Sequence, residues 1–176
     1  MSQDDSRNAR TDASLDYLSL NETLLRGLRR PLPGLAAQLR MAPPGRVDSS
    51  YLAAPPGARD AAVLLLVTVA GELVFIRRAT DGRAHSGEIA FPGGAREEDD
   101  SDLRATALRE AEEEIGLPAS SVSVLGEITP LYISVSNYTV HPFVATVERL
   151  PRFVCQEGEV DEVIVLPLEA LARSRS

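Results

Sequence analysis

The sequence predicts an α/β fold of the α+β kind, with a mixed β-sheet sandwiched between helices. Predicted strands outnumber predicted helices, and the two kinds of element alternate irregularly along the chain. An apolar run at 61–70 is followed by Gly71-Glu72 and a second apolar segment, which is typical of a buried β-hairpin. With 176 residues, of which 44% are hydrophobic, the chain can build one real core but not two large domains.

The pattern divides the chain into an N-terminal helical extension with a Pro/Gly-rich connector, residues 1–58, and a core domain, residues 59–176. Residues 1–13 are polar, and we expect them to be loose. Helices are expected near 20–30 and 34–41, because prolines 31 and 33 interrupt the helical spacing between them. Two Pro-Pro-Gly stretches within 42–60 predict an extended or turn-rich connector.

The core domain opens with strands and carries two helices. A long helix is predicted at 101–115, with Gly116 suited to the left-handed position at its end, and a final helix starts near Leu168. Predicted strands cover 61–70, 73–77, 88–91, 122–129, 138–147 and 163–166.

Composition excludes several classes of protein. The formal net charge is −8, which argues against general binding to nucleic acid, since such proteins present basic surfaces. The longest apolar run has ten residues, roughly half of a membrane span, and the N-terminal residues lack the apolar region of a secretory signal. Cys155 is the single cysteine, so an internal disulfide is excluded. We therefore expect a cytoplasmic protein that binds neither membranes nor nucleic acid.

The negative charge is concentrated in one segment. Residues 97–114 contain nine acids and two arginines, a net charge of −7, so the rest of the chain is close to neutral. Such a segment is either a solvated helix face or loop, or a site for a hard divalent cation, which prefers carboxylate oxygens. Composition alone does not choose between these interpretations.

Helical spacing places some of these acids beside an apolar face. On a wheel of roughly 100° per residue, one arc of roughly 140° holds the apolar side chains. Glu114 falls within the edge of that arc, whereas Glu112 points to solvent. Glu110 and Glu113 neighbour Glu114 at helical spacing. The apolar members of the arc are Leu103, Ala107, Leu108, Ala111 and Ile115.

These three glutamates repel one another, and partial burial increases the cost. Only Arg109 has the spacing to pair with Glu113. A bound Mg²⁺ or Mn²⁺ would remove the conflict, because the ion needs several oxygens at one point. Upstream, Gly93 and Gly94 allow a close approach of the backbone to a ligand, which suggests that backbone donors and a metal meet around phosphate oxygens.

Residues 93–117, GGAREEDDSDLRATALREAEEEIGL, resemble the Nudix box, written G-x5-E-x7-R-E-U-x-E-E-x-G-U with U aliphatic. Asp100 stands at the early Glu, the spacer that follows is one residue longer, and the small Ala111 occupies a U position. The matching residues are Gly94, Arg109, Glu110, Glu113, Glu114, Gly116 and Leu117.

Residues 78–94, RATDGRAHSGEIAFPGG, look like the upstream signature of one Nudix branch, the coenzyme A pyrophosphatases, with Glu88 in place of the usual Gln. Segments 136–145 and 159–168 are also similar to this branch. The resemblance implies a Nudix hydrolase domain at 59–176 that uses Mg²⁺ or Mn²⁺. It implies hydrolysis of the pyrophosphate bond of coenzyme A, a small nucleotide substrate, to 3′,5′-ADP and 4′-phosphopantetheine.

The resemblance also implies roles for individual residues. The metal ligands would be Glu110, Glu113 and Glu114, with Gly94 as a backbone ligand or turn. Arg109 would orient the ligand carboxylates. Glu114 is the first candidate for the base that takes a proton from water. Its alternatives are Glu159 and Glu162, which as a pair could equally form an exposed polar loop.

Substrate binding by this branch requires cations for the 3′-phosphate. Arginines 77, 78 and 83 are candidates, although the first two end a strand and could be merely solvated. His85 is a candidate phosphate donor or loop organiser, and Gly93 and Gly94 would approach the phosphates. Tyr132 and Tyr138 are candidates to stack on a base, against the more frequent role of packing.

Three alternatives remain open from the sequence. One is a Nudix hydrolase for another nucleoside diphosphate derivative, such as ADP-ribose, NADH or a dinucleoside polyphosphate. The second is a non-catalytic Nudix-like nucleotide-binding module, and the third is a purely structural acidic helix that binds no metal. A homodimer is also left open.

Overall fold

The computed structural model describes residues 5–41, 54–80 and 86–173. Most of the predicted connector, residues 42–53, lies outside these ranges. Within them, no helix combines the length and the apolar character that a bilayer crossing needs. The described helices are α1 (Asp5–Leu28), α2 (Gly34–Met41), α3 (Leu103–Ile115) and α4 (Leu168–Arg173), and a 3₁₀ turn follows α3 at Ala119–Ser121.

The described strands form one mixed sheet, as the sequence predicts. Its main order is β3-β2-β1-β7-β5, with β4 on β1, β6 on β7 and β8 on β2. Strands β1 and β7 run parallel from the Arg59–Tyr138 pair to the Thr68–Val147 pair, whereas the other pairings are antiparallel. The strands are β1 (Arg59–Thr68), β2 (Glu72–Arg78), β3 (Ile89–Ala90), β4 (Gly93–Ala95), β5 (Val122–Glu127), β6 (Leu131–Ile133), β7 (Tyr138–Val147) and β8 (Val160–Pro167).

Each face of the sheet is covered by a helix. Successive side chains of a strand point to opposite faces, so β2 sends Val74 and Ile76 to one face and Leu73 and Phe75 to the other. The first face packs against the apolar side of α3. The second face packs against leucines 20, 24 and 28 of α1. The predicted sandwich of a mixed sheet between helices is therefore confirmed.

Helix α1 and two short strands differ from the sequence prediction. Helix α1 begins at Asp5, whereas the prediction left residues 1–13 loose and began the helix near residue 20. Apolar spacing is absent from 5–13, but no proline or glycine precedes Gly27, so the backbone can continue as helix. Strands β4 and β6 have three residues each and are stabilised by pairing with β1 and β7 rather than by their own sequence pattern.

Candidate active site

Helix α3 positions the predicted acids, and both of its ends are fixed. Asp102 caps the start, its side chain accepting a hydrogen bond from the Ala105 N–H at 2.7 Å. Gly116 ends the helix at φ 65°, the left-handed conformation expected of it. Ala107, Ala111 and Ile115 are fully buried, as the wheel predicts.

Glu114 is the most buried acid of the helix, with 3% of its surface exposed. Its Oε2 accepts a hydrogen bond from the Gly93 N–H at 2.9 Å, and Nη1 of Arg78 lies 3.7 Å from its Oε1. Burial raises the pKa of Glu114 to about 7, and the charge of Glu110 adds to the rise, while the Gly93 N–H opposes it. A carboxyl of this kind can accept and release a proton near neutral pH.

Glu110 lies against the Gly93-Gly94 backbone. Burial is the main cause of a raised pKa of Glu110, and the charge of Arg109 opposes the rise. A Cβ atom on Gly94 would stand 2.5 Å from the Glu110 carboxylate, and one on Gly93 would stand 2.3 Å from the Ala62 carbonyl oxygen. The two glycines are therefore required by close packing within the protein, a role that the sequence did not indicate.

Arg109 donates hydrogen bonds to four residues of the site. Its Nε and Nη2 donate to the two carboxylate oxygens of Asp100 at 3.0 and 3.1 Å, and Nη2 also donates to the Ala95 carbonyl at 3.0 Å. Its Nη1 donates to Glu110 and to Glu113, each at 3.0 Å. The guanidinium thus holds two acids of α3 in place, and the orienting role that the Nudix resemblance implies for Arg109 stays a prediction.

Asp100 is the residue of the site that the sequence analysis did not single out for a role. Its carboxylate also accepts from the Thr106 hydroxyl and the Glu97 N–H, both at 2.9 Å. The hydrogen bonds from Arg109 are the main cause that holds the pKa of Asp100 well below its usual range. Its match to the early acid of the Nudix box was the available signal.

The other two acids of the helix are exposed. Glu112 points to solvent, as predicted. Glu113 also reaches solvent, with 55% of its side chain exposed, and contacts Arg109. The structure thus brings Glu110 and Glu114 together beside the sheet and leaves Glu113 at the rim.

The candidates on β2 and β8 divide between two environments. Arg78 faces Glu114, whereas the exposed Arg77 donates from Nε to Glu162 at 3.1 Å. Glu159 immediately precedes β8, and its charge contributes to the raised pKa values of Glu110 and Glu114. Glu159 therefore lies within electrostatic reach of the buried acids. Two further candidates, Arg83 and His85, lie outside the described residues.

Whether these residues suit a metal ion can be judged from their chemistry. In the described ranges, no three His, Cys, Asp or Glu side chains are arranged so that they could jointly hold a metal ion. Two candidate ligands, Glu110 and Glu113, are instead bonded to Arg109. The donor set itself fits a hard dication. Burial raises the pKa values of Glu110 and Glu114, which means that their charged forms are destabilised. A cation that prefers oxygen ligands would offset this cost.

The family model of the NUDIX domain matches residues 57–176 of this chain. The uncharacterized Nudix hydrolase NudL of Yersinia pestis (strain Pestoides F) is 44% identical over 143 residues, which cover 78% of this chain and 70% of that protein. The match spans the glycine pair and the whole of α3.

Solved structures agree with this assignment. The Nudix hydrolase RenU from M. smegmatis superposes with a TM-score of 0.51 at 25% identity, covering 66% of this chain and 74% of that one. The NUDIX domain of Shewanella oneidensis NrtR, solved with ADP ribose, shares the fold with a TM-score of 0.53 at 16% identity, covering 79% and 86%. The chain therefore belongs to the Nudix hydrolase family and is a pyrophosphohydrolase of nucleoside diphosphate derivatives.

Proposed function

We propose that the protein hydrolyses the pyrophosphate bond of coenzyme A or of one of its derivatives. The products would be 3′,5′-ADP and 4′-phosphopantetheine or its acylated form. The observation that carries the proposal is the packing of Glu110 and Glu114 against the Gly93-Gly94 backbone, at the end of the segment that resembles the coenzyme A branch. That packing supports the proposal, because Glu110 and Glu114 lie next to the segment whose resemblance suggests the substrate.

The residues proposed to hold Mg²⁺ or Mn²⁺ are Glu110, Glu113 and Glu114, with the backbone of Gly94. Nudix hydrolases generally use divalent metal ions. When bound, such an ion neutralises charge on phosphate oxygens and lowers the pKa of water. Arg109 keeps Glu110 and Glu113 oriented through its Nη1 hydrogen bonds, which is the positioning role proposed for it.

Glu114 is the first candidate to accept the proton of the attacking water. The position of Glu114 supports the proposal, since this buried carboxylate is held by the Gly93 N–H next to the glycine pair that is proposed to approach the phosphates. Glu159 is the first alternative, because its charge acts on both the buried Glu114 and the half-buried Glu110. Glu162 has less support, since it is exposed and bonded to Arg77.

Several groups are proposed to contact the substrate. Arg78, beside Glu114, would face the phosphates and limit the repulsion between substrate and carboxylates. Arg77 stays a candidate at the strand end, where its partner Glu162 is exposed and weakly held. Gly93 and Gly94 would bring the backbone close to the phosphates. Arg83 and His85 complete the set proposed from the sequence.

Product analysis tests the proposal directly. Purified protein incubated with coenzyme A and Mg²⁺ or Mn²⁺ should release 3′,5′-ADP, identified by mass spectrometry. Glu110→Gln should lose this activity, whereas the matched variant Glu112→Gln, changed at an exposed position of the same helix, should keep it. Faster turnover of ADP-ribose than of coenzyme A would reject the substrate assignment and leave the pyrophosphohydrolase intact.

The second candidate is hydrolysis of another nucleoside diphosphate derivative, such as ADP-ribose, NADH or a dinucleoside polyphosphate. Its support is the shared fold of the NrtR domain, which was solved with ADP ribose. The same assay, run with these compounds beside coenzyme A, decides between the two candidates through their kcat/KM values.

We also propose a cytoplasmic location and keep the homodimer as a proposal. The support for the location is Cys155, the sole cysteine of the chain, which is exposed and suits a reducing compartment. Light scattering of the purified chain would test the homodimer, and a mass of one chain would reject it.

A further inference from the structure

An open cavity of about 510 Å³ lies beside the carboxylate site. It is formed where β1 and β7 begin and where the chain leaves β4, and its polar lining includes Arg59, Asp60, Arg96 and Tyr138. None of these residues was assigned a phosphate-binding role above. The cavity is large enough for part of a nucleotide.

The cavity is directly connected to the proposed reaction centre. Ala95, in its wall, accepts the hydrogen bond from Nη2 of Arg109, and Glu97 lies 3.8 Å from Nη1 of the same residue. Gly94 pairs with Ala62, which is three residues along β1 from Arg59. Three strand residues span about 10 Å, a distance that a ribose and an arginine side chain together can bridge.

Two arginines give the cavity its available positive charge. The Arg59 guanidinium carbon lies over the Tyr138 ring, 4.2 Å from its centre, in a cation–π contact. Nη2 of Arg96 donates to the Asp100 carbonyl at 3.3 Å. Among residues 5–41, 54–80 and 86–173, neither arginine has a carboxylate within ion-pair distance.

Two of the three acids that line the cavity contact cationic or imidazole groups other than Arg59 and Arg96. Asp60 faces the His141 ring at 3.4 Å, and Glu97 faces Arg109. Glu98 is exposed to solvent. Within the part of the chain that the structure describes, the two guanidinium groups therefore line the cavity without a carboxylate partner, and a planar guanidinium best matches the oxygens of a phosphate.

We propose that this cavity binds a phosphomonoester that the substrate carries apart from its pyrophosphate, held by Arg59 and Arg96. The inference rests on the proposed function, in which the group is the 3′-phosphate of coenzyme A. It assigns the 3′-phosphate to Arg59 and Arg96, which have no carboxylate within ion-pair distance among the described residues, and leaves Arg77 and Arg78 as candidates for other contacts with the substrate.

Selectivity between coenzyme A and dephospho-coenzyme A tests the assignment. The wild type should prefer coenzyme A, and Arg59→Gln should lower kcat/KM for coenzyme A about tenfold through KM, since a partly exposed charged hydrogen bond contributes about that factor. Turnover of dephospho-coenzyme A should not change, which also shows that the variant is folded. The control Arg26→Gln makes the same charge change on the exposed side of α1 and should preserve the preference.

Calorimetry with 3′,5′-ADP and 5′-AMP decides the inference independently of turnover. The wild type should bind 3′,5′-ADP about tenfold more tightly than 5′-AMP, and both Arg59→Gln and Arg96→Gln should remove the difference. Equal binding of the two nucleotides by the wild type would overturn the cavity assignment. An equal fall of kcat/KM for coenzyme A and for dephospho-coenzyme A in Arg59→Gln would overturn it as well. If no coenzyme A derivative is hydrolysed, the proposed function fails and the calorimetry still decides the cavity.

Discussion

Arg109 and Asp100 are joined by two parallel N–H···O bonds, the geometry in which a guanidinium and a carboxylate interact most strongly. The Asp100 carboxylate is 6% exposed, and Thr106 donates a further bond to it. The pair fixes the guanidinium, whose remaining N–H groups hold Glu110 and Glu113. Removal of the Asp100 charge should therefore reduce stability and also disorganise the acids of α3.

Asp100→Asn should lower the free energy of unfolding by about 2–4 kcal/mol at pH 7, because it leaves Arg109 without its main anion. Activity should fall at least about tenfold, since Glu110 loses its orientation. Arg109 lowers the pKa of Asp100 from the ordinary 3.8, so the stabilisation is present above about pH 4 and is lost as the pH falls further. Urea unfolding at pH 7 and at a series of pH values below about 3.5 should show the difference between the two proteins shrinking.

The exposed neighbour Asp99 offers a matched control for this experiment. Asp99→Asn makes the same charge change without breaking a buried pair, so its stability and activity should match the wild type. A difference between wild type and Asp100→Asn that stays constant on acidification would mean that shape, and not charge, holds Arg109.

Glu114→Gln should stabilise the metal-free protein at pH 8 by about 1–3 kcal/mol. The folded pKa of Glu114, about 7, is above the ordinary 4.5, so the folded state binds more protons than the unfolded state between these values. Stability of the wild type therefore falls as the pH rises from about 4.5 to 7, and the neutral Gln removes this loss. Thermal unfolding in the presence of a chelator, from pH 5 to 8, measures the effect.

Addition of Mn²⁺ should reverse the order of the two proteins. An ion that binds the folded state raises its stability, so Tm should rise for the wild type and stay unchanged for Glu114→Gln. Glu112→Gln, at an exposed position, should respond like the wild type. A wild type that is no less stable at pH 8 than at pH 5 would contradict the raised pKa of Glu114 that burial and the charge of Glu110 cause.

Much of the residue pattern was predictable from helical spacing, because neighbours at three and four positions share one side of a helix. Spacing alone indicated that Glu114 would be buried beside the apolar arc and that Glu112 would face solvent, and both are confirmed. It could not indicate the bond between Arg109 and Asp100, since Asp100 precedes the helix in an irregular segment. Only the spacing of the Nudix box pointed to that acid.

At the scale of elements, the site depends on the close approach of β4 to α3. Glycine is required at both positions of the strand, but for different reasons. Gly93 adopts φ 151° and packs on the backbone of β1, whereas Gly94 faces the end of the Glu110 side chain. A side chain at the first position collides with rigid backbone, and one at the second displaces Glu110, a candidate metal ligand.

Gly94→Ala should therefore cost activity, and Gly93→Ala should cost stability. We expect Gly94→Ala to lower kcat at least about tenfold through displacement of Glu110, with unfolding free energy within about 1 kcal/mol of the wild type. Gly93→Ala should lose about 2 kcal/mol or more, because the new Cβ overlaps the Ala62 carbonyl. Chemical denaturation and steady-state kinetics on both variants separate the effects. The reverse pattern would mean that Gly94 and not Gly93 anchors the strand.

The elements themselves were predictable where the pattern is long. Strand β7 was predicted with the bounds that the structure shows, because apolar, aromatic and β-branched residues dominate its ten positions between two turns. Strand β4 was missed, since Gly-Gly has low strand propensity and is held by pairing with β1, which is distant in sequence. Long-range pairing of that kind leaves no local signal.

At the scale of the whole molecule, the sheet lies between the candidate active site on one face and the helix α1 that packs on the other. Helix α3 brings the acids to one face, and α1 covers the other with leucines 20, 24 and 28. Polar contacts fix α1 in register, as Tyr17 donates to Ser123 at 2.8 Å and Thr146 donates to Asn21 at 2.6 Å. Helix α1 is thus packed onto the sheet through the face opposite the site.

Leu24→Ala should consequently destabilise the molecule without changing its chemistry. Loss of a partly buried leucine from the second face should cost about 1–3 kcal/mol of unfolding free energy. The kcat and KM for the active substrate should stay at wild-type values, since the sheet lies between this leucine and Glu110. Leu18→Ala, at a position 56% exposed on the same helix, should change neither property. A lowered kcat at unchanged stability in Leu24→Ala would show instead that α1 communicates with the acids across the sheet, and the separation of the two faces would then be wrong.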